Sequence, residues 1–434
     1  MEYAKKASDL RLKASEMKSP QNLSKDVNTI SDDMMPQINP TGDRLYFTSS
    51  RKGGLDNKDE EEENDWGEDL YYIEKTSNGW SQAILLPEPI NTYNNDGTST
   101  FSADGQQMIY VKCGEKGGMG SCDLWMASLE GTNWTSPENM GDVVNSKSWD
   151  SQPSLSSDGN MLIFTACELY GDYGGNRKGY GSCDLFITFK KEANNWARPQ
   201  NLGNTINSNH WETQPSFSAD GKTLYFVRGK RDRSGQQNGN IYVSKLNEEG
   251  RWSTPEALSN TINTQGNEES VFIHPDGKTL YFSSDGHLGL GGLDIFMSQK
   301  DSSGKWSEPK NLGYPINTHK NENSLLVSPN GELAYFASDR EEGYGDLDLY
   351  SFELPQEFKP NPVSYFAGKI YDKSNQLLSG FNSIQIGKYR LNNGFHGFEY
   401  PRTKELINFL EKEIKLKLKK IPNIRKLLIN REII

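Results

Sequence analysis

Histidine, cysteine and long apolar runs are what this chain of 434 residues has least of. There are 5 His and 4 Cys. No apolar run approaches the roughly 18–20 residues that span a bilayer. The opening, MEYAKKASDLRLKASEMKSP, has no apolar core of signal-peptide type. By itself this reads as a soluble chain, either cytoplasmic or lacking its natural N-terminus. Positive charge is also short: 47 basic against 59 acidic residues give a net charge of −12. That disfavours a phosphate-backbone partner, which needs a basic surface. The histidines, His210, His274, His287, His319 and His396, are scattered. There is no G-x-S-x-G elbow; the nearest strings, GMGSCD and GYGSCD, put the serine directly before a cysteine.

What is plentiful is aromatic residues and glycine: 20 Tyr, 18 Phe, 9 Trp and 41 Gly. Aromatic and β-branched residues broken up by Gly, Asn, Asp and Pro predict many short strands and tight turns. An internal repeat organises them. Turn glycines recur at Gly42, Gly105, Gly159, Gly221, Gly277 and Gly331, spaced 54–63 residues apart. Fourteen residues before each stands an asparagine: Asn28, Asn91, Asn145, Asn207, Asn263 and Asn317. Eleven residues before each of the last five asparagines stands a tryptophan, from Trp80 to Trp306; the first has Met17 there. A second signature follows each glycine, as in Asp123-Leu124-Trp125 and Asp348-Leu349-Tyr350, with Asn240-Ile241-Tyr242 in the fourth copy.

Each copy therefore carries four strands: A before the turn glycine, B after it, C at Asp-Leu-Tyr and D at the tryptophan. Four short antiparallel strands repeated six times predict an all-β, six-bladed β-propeller. The last copy lacks strand D. The stretch MKSPQNL at residues 17–23 supplies it, with Pro20, Asn22 and Leu23 matching Pro309, Asn311 and Leu312. The N-terminal strand is thus expected to close the ring and remove its open edges.

NEESVFIHPDGKTLYFSSDGHLGLGGLDIF and NENSLLVSPNGELAYFASDREEGYGDLDLY resemble TolB-type, WD-like propeller repeats. The resemblance covers residues 19–355. With SYFAGKIYDKSNQLL following, the chain is similar to OmpA-family, type IX secretion-associated envelope proteins of Bacteroidetes type. It implies a propeller followed by a carboxypeptidase-regulatory-like β-sandwich; the OmpA-like domain is absent. The expected layout is an N-terminal helix at 1–18, read as a remnant of helical repeats, the propeller at 19–355, and a linker with the start of the sandwich at 356–381. A basic tail follows at 382–434, with 12 basic and 5 acidic residues, and RTKELINFLEKEIKLKLKKIPNIRKLL within it reads as an amphipathic helix. The tail is either the product of a truncated or frame-disrupted relative, or a helix that docks on an acidic or membrane surface.

Nine residues before each turn glycine stands an acid: Asp33, Asp96, Asp150, Glu212, Glu268 and Glu322. Strand A lines the channel of a propeller, so these acids are expected to ring one mouth of it. One reading is structural, each carboxylate accepting backbone N–H bonds of a neighbouring blade. The other is a site for a cation or polar ligand. No cofactor is otherwise called for, and no metal site. Trp149 and Trp211 precede two of the acids; they either stack on sugars or a partner, or pack between blades. Tyr170, Tyr173 and Tyr180 add aromatics to the third B–C loop, and the acid run of the first, RKGGLDNKDEEEENDWGE, reads as a solvated loop.

Cys113 and Cys167 both lie eight residues after their turn glycines, and Cys122 and Cys183 directly precede the strand-C aspartate. Strand register therefore sets Cys113 against Cys122 and Cys167 against Cys183. Two disulfides are expected, with free thiols or a metal site the alternatives. Disulfides imply an oxidising compartment, hence the periplasm, the outer membrane or the cell surface.

The propeller of prolyl-oligopeptidase-type peptidases is similar, but no α/β hydrolase domain accompanies this one. The sialidase Asp box, with one residue between Asp and Gly, is not matched by Asp104-Gly105 or Asp276-Gly277. The sequence thus reads as a non-enzymatic envelope scaffold binding protein partners through its loop face, or peptidoglycan or another glycan. The alternative is a carbohydrate-binding or glycan-cleaving propeller that uses the six acids with Trp149 and Trp211.

Overall fold

The computed structural model describes residues 18–39, 41–54, 67–77, 79–157, 159–168, 177–192, 195–231, 237–328, 330–361, 363–366, 368–372, 383–386, 389–392, 396–399 and 424–429. The expected N-terminal helix, Tyr170, Tyr173 and most of the acidic first loop lie outside them.

Six antiparallel blades follow one another along the chain. Blade one is Asp33–Ile38, Arg44–Ser49 and Asp69–Thr76, with the short outer pieces Gly79–Trp80 and Ile84–Leu85. Blade six is Glu322–Val327, Leu333–Ser338 and Asp348–Glu353, and its fourth strand is Gln21–Asn22 from the other end of the chain. Gln21 sits opposite Ser351 and Asn22 opposite Tyr350, so the ring is closed by the N-terminal strand.

The repeated residues are explained by what each satisfies. The turn glycines all have positive φ, 64–72°, a conformation in which a Cβ is strained. The repeated asparagine extends the sheet with its side chain. Asn317 accepts the N–H of Ile295 and donates to its carbonyl, 2.8 and 2.9 Å. Asn91, Asn145, Asn207 and Asn263 do the same to Leu70, Leu124, Leu185 and Ile241. Asn28 does it to Leu349 across the closure. A primary amide presents one donor and one acceptor in nearly the geometry of a peptide group, so it pairs a buried strand where the backbone has already turned away. Trp134 and Trp306 lie edge-on to Tyr46 and Tyr225, the strand-B tyrosines of the preceding blades, and Trp80 meets Tyr335 across the closure. The core lies between the blades: strand B of every copy is almost wholly buried, with Tyr110, Tyr225, Tyr281 and Phe164 among the largest enclosed side chains.

Strand A carries a feature the sequence does not announce. Two residues after each acid the chain enters the left-handed region, at Met35, Thr98, Gln152, Gln214, Ser270 and Ser324, with φ of 40–54°. The A–B pairing shifts register at each of these places, which makes six β-bulges around the channel. Three of them are tied together in series. Gln152 Oε1 accepts the N–H of Gln214, 3.0 Å, and Gln214 Oε1 that of Ser270, 2.7 Å.

Beyond the ring, Gln356–Phe358 forms a 3-10 turn whose Phe358 is buried against Tyr281 and Phe336. Asn361 donates its backbone N–H to Asp276 in an A–B turn, 3.0 Å, so the chain leaves on the face opposite the B–C loops. In the tail, Ile424–Ile429 is a strand paired with Gly368–Asp372. The end of the segment read as an amphipathic helix is therefore extended: IRKLLI has β-branched residues at both ends and an available backbone edge to pair with.

Candidate functional site

The six acids do not line the channel. Asp33, Asp96, Asp150, Glu212, Glu268 and Glu322 are each 0% exposed, at the first or second residue of strand A. Each accepts the backbone N–H of the residue four positions earlier, at 2.6–3.1 Å. Each also accepts that residue's hydroxyl. The carboxylate fixes the D–A connection that leads into its own strand.

A basic side chain completes each arrangement. Arg51 pairs with Asp33 at 2.5 Å, Arg177 with Asp150 at 2.5 Å, Arg228 with Glu212 at 2.7 Å and Arg340 with Glu322 at 3.3 Å. The same cations donate to the carbonyl preceding the repeated asparagine, at Val27, Val144, Ile206 and Ile316. In blade two Lys112 takes the place and donates to Pro89 O, 2.9 Å. In blade five His287 Nε2 meets Ile262 O at 2.6 Å. The arginines also stack on the aromatic pair that strands B and C place side by side, as Arg340 does on Phe336 and Tyr350 at 5.1 and 4.5 Å. Sequence reading missed these basic side chains because they stand 16 to 27 residues after their acids, on loops of unequal length. Six free like charges at one mouth would repel; four of these acids are instead paired each with its own arginine.

Burial pushes all six carboxyls above their ordinary range, and the cations pull most of them back. Asp96 is pushed furthest, to about 7. Lys112 is committed to Pro89 O, and Asp96 Oδ1 is buried with no hydrogen-bond partner in the protein. Folded Asp96 therefore keeps its proton up to about pH 7, the unfolded chain only to about pH 4. The folded state binds more protons in that window, so stability falls as pH rises through it. Asp96→Asn keeps an acceptor for the Thr92 N–H and cannot ionise. The variant should gain on the parent by on the order of 3 kcal/mol between pH 4 and pH 7. Urea unfolding of both proteins across that range measures it, and parallel pH profiles would sink the assignment.

The channel is lined by other residues. It holds about 390 Å³ and is walled by the bulge residues and their neighbours on all six strands A, including Gln152, Gln214, Phe217 and Phe272. Among the described residues no charged side chain lines it. The acid ring with a bound cation is thus corrected to an uncharged channel ringed by six left-handed residues. Trp149 and Trp211 are half-buried seam residues. Trp149 pairs with Cys122 of the preceding blade and Trp211 with Cys183, both in parallel register. Their rings pack into the clusters on either side. A glycan site built from these acids and tryptophans is not formed. Tyr180 is exposed on its loop.

Cys113 is bonded to Cys122 and Cys167 to Cys183, across loops of 9 and 16 residues of separation. Register aligns them: the residues face each other at the top of strands B and C. Disulfides at these positions fit an oxidising compartment outside the cytoplasm. Among the described residues no helix is long and apolar enough to cross a membrane.

No family model matches the sequence, and no curated relative does. Solved structures match in shape. The tricorn protease has a TM-score of 0.41 and 13% identity, with 72% of this chain and 28% of that one covered. A puromycin-hydrolyzing peptidase of Mycobacterium tuberculosis has 0.45 and 13%, covering 80% and 57%. Puromycin hydrolase has 0.45 and 11%, covering 83% and 60%. The chain spans 28–60% of their lengths, and at such identities the likeness is one of fold. It corrects one expectation. The sequence was read as that of no enzyme, whereas the solved structures of like fold include peptidases, a sialidase and a hydrazine synthase. That expectation is withdrawn.

Proposed function

We propose that this chain is a binding propeller of the cell envelope that engages its partners through the face formed by the D–A connections and B–C loops. One observation carries the reading. Of the ten large apolar side chains exposed among the described residues, seven lie on that face. Ile30, Tyr93, Val143 and Tyr314 are on D–A connections; Met119, Tyr180 and Tyr344 are on B–C loops. Exposed tyrosines offer large contact area at low entropic cost and are enriched at interfaces. The repeated polar residues are by contrast occupied in holding the blades, which leaves the variable loops to recognise something. The disulfides, with the resemblance to TolB-type and OmpA-family envelope proteins, favour the periplasm or the outer-membrane surface as the place and an envelope protein as the partner.

The test is a paired affinity capture from an envelope fraction. The parent is compared with a variant carrying Tyr93→Ser, Tyr180→Ser, Tyr314→Ser and Tyr344→Ser. A control carries Ile84→Ser and Phe189→Ser, away from that face. Species held by parent and control but depleted about tenfold on the tyrosine variant support the reading. Equal capture by all three removes it.

A further inference from the structure

The fourth blade departs from the common plan at one corner. In blades two, three, five and six the strand-C aspartate receives an asparagine amide from strand D: Asn139 to Asp123, Asn201 to Asp184, Asn311 to Asp294 and Asn22 to Asp348, at 2.6–3.1 Å. The same aspartates accept N–H groups of the Gly-rich B–C loop, which folds down over them. Blade four has Asn240 and Ala257 at the two places. Its strands B and C run on instead as a long hairpin, Thr223–Arg231 with Gln237–Lys245. The corner filled elsewhere by loop and aspartate is left as a cleft of about 950 Å³ on the loop face, between this hairpin and the connection into blade five.

The lining of the cleft is selective. Among the described residues it contains Arg228, Lys230 and His210 and no aspartate or glutamate, in a chain with 59 acids. Arg228 is committed to Glu212, so Lys230, which is exposed, is the cation with free reach. Amides make up much of the rest. Asn240 donates to Asn238 Oδ1 at 2.9 Å, and Asn238 donates to the carbonyl of Gln265 at 2.7 Å, which joins the hairpin to the next connection. Asn260 and the Gln265 side chain are exposed at the cleft. A bare inorganic anion would use the cation but not the amides. A neutral sugar would use the amides but gain nothing from the exclusion of acids. The strand-C aspartate of the other blades would set a carboxylate where Asn240 stands.

We infer that this cleft binds a carboxylate-bearing sugar, its acid group at Lys230 and its hydroxyls on Asn240, Asn260 and Gln265. The inference rests on the loop face being the binding face. The ligand chemistry is the same whether the sugar is free or a unit of an acidic glycan.

Calorimetric titration of the full chain with glucuronate tests it, with glucose as the neutral control and an acidic glycan fragment ending in the same sugar as a second arm. Glucuronate should bind at least about tenfold more tightly than glucose. Asn240→Asp, which restores the carboxylate of the common plan, and Lys230→Glu should each weaken glucuronate about tenfold or more with melting unchanged. Lys230 is exposed, so its variant keeps the test decisive if Asn240→Asp perturbs the hairpin. No heat from glucuronate at about 10 mM, equal binding of glucose, or unaltered affinity in the folded variants would overturn the inference. The two arms separate the sources: tighter binding of the fragment points to a glycan, equal binding to the free sugar. The tyrosine variant above should titrate like the parent. Glucuronate binding without any loop-face capture therefore removes the wider partner reading alone, and the converse removes this site alone.

Discussion

A chain from which Gln21–Asn28 has been deleted should melt at least about 10 °C below the parent, or fail to melt cooperatively. The deletion removes strand D of blade six. Gln21 and Asn22 pair with Ser351 and Tyr350. Leu23 donates its N–H to Leu349 O at 3.1 Å. Leu23 and Val27 are buried in a cluster with Phe47 and Leu349; burial of two such side chains contributes about 3–5 kcal/mol. Without Asn28 the N–H and C=O of Leu349 lose their 2.9 Å partners; each orphaned group costs about 1–3 kcal/mol. Together these approach the whole stability of an ordinary domain, about 5–15 kcal/mol. Asn28→Leu isolates the amide part and should cost about 2–4 kcal/mol. Calorimetry on both variants measures the effect, and an unchanged melting temperature for the deletion would mean that the ring is not held by its N-terminus.

The second large effect is expected at Arg340→Met. Arg340 is 6% exposed. It donates to Ile316 O at 2.6 Å and Pro315 O at 3.2 Å, pairs with Glu322 and covers Phe336 and Tyr350. Methionine retains much of the volume and removes every donor. Glu322, 0% exposed, is left without its cation, and breaking a buried pair from one side costs about 3–5 kcal/mol. Adding Glu322→Gln removes the stranded charge, so the double variant should be more stable than the single one. A double-mutant cycle by urea unfolding gives the coupling. A single-variant loss below about 1 kcal/mol would show that the clasp is ornamental.

The periodic part of this protein was readable because each blade must solve the same problems. An asparagine pairs a strand that the backbone has left, a glycine makes the left-handed turn, and a tryptophan fills the seam. Cys113 and Cys167 were placed by register for the same reason. The arrangement around the acids was not readable. Asp33 through Glu322 recur in step, but Arg51, Lys112, Arg177, Arg228, His287 and Arg340 do not, since loops of different length carry the cation back to one place. A carboxylate whose partner is out of register looks unpartnered, and so was set in the channel. The bulges escaped because Met35, Thr98, Gln152, Gln214, Ser270 and Ser324 share no side-chain chemistry; the neighbouring ladder imposes their conformation. The cleft of blade four was visible only as two departures, Asn240 and Ala257, whose meaning depends on knowing what the other blades put there.

The parallel contacts of Trp149 with Cys122 and of Trp211 with Cys183 merge blades two, three and four into one sheet of 14 strands, whereas blades one, five and six each form their own. Both disulfides lie at those two joints. Mechanically the ring is therefore lopsided, an arc of three joined blades, two of them stapled internally, on one side and a compliant arc of three separate leaves on the other. The chain end that latches the circle sits in the compliant arc. Slow amide exchange should belong to the stiff half, and a transient breach, a pull on the termini or a protease should find its way in near blade six, far from the cystines.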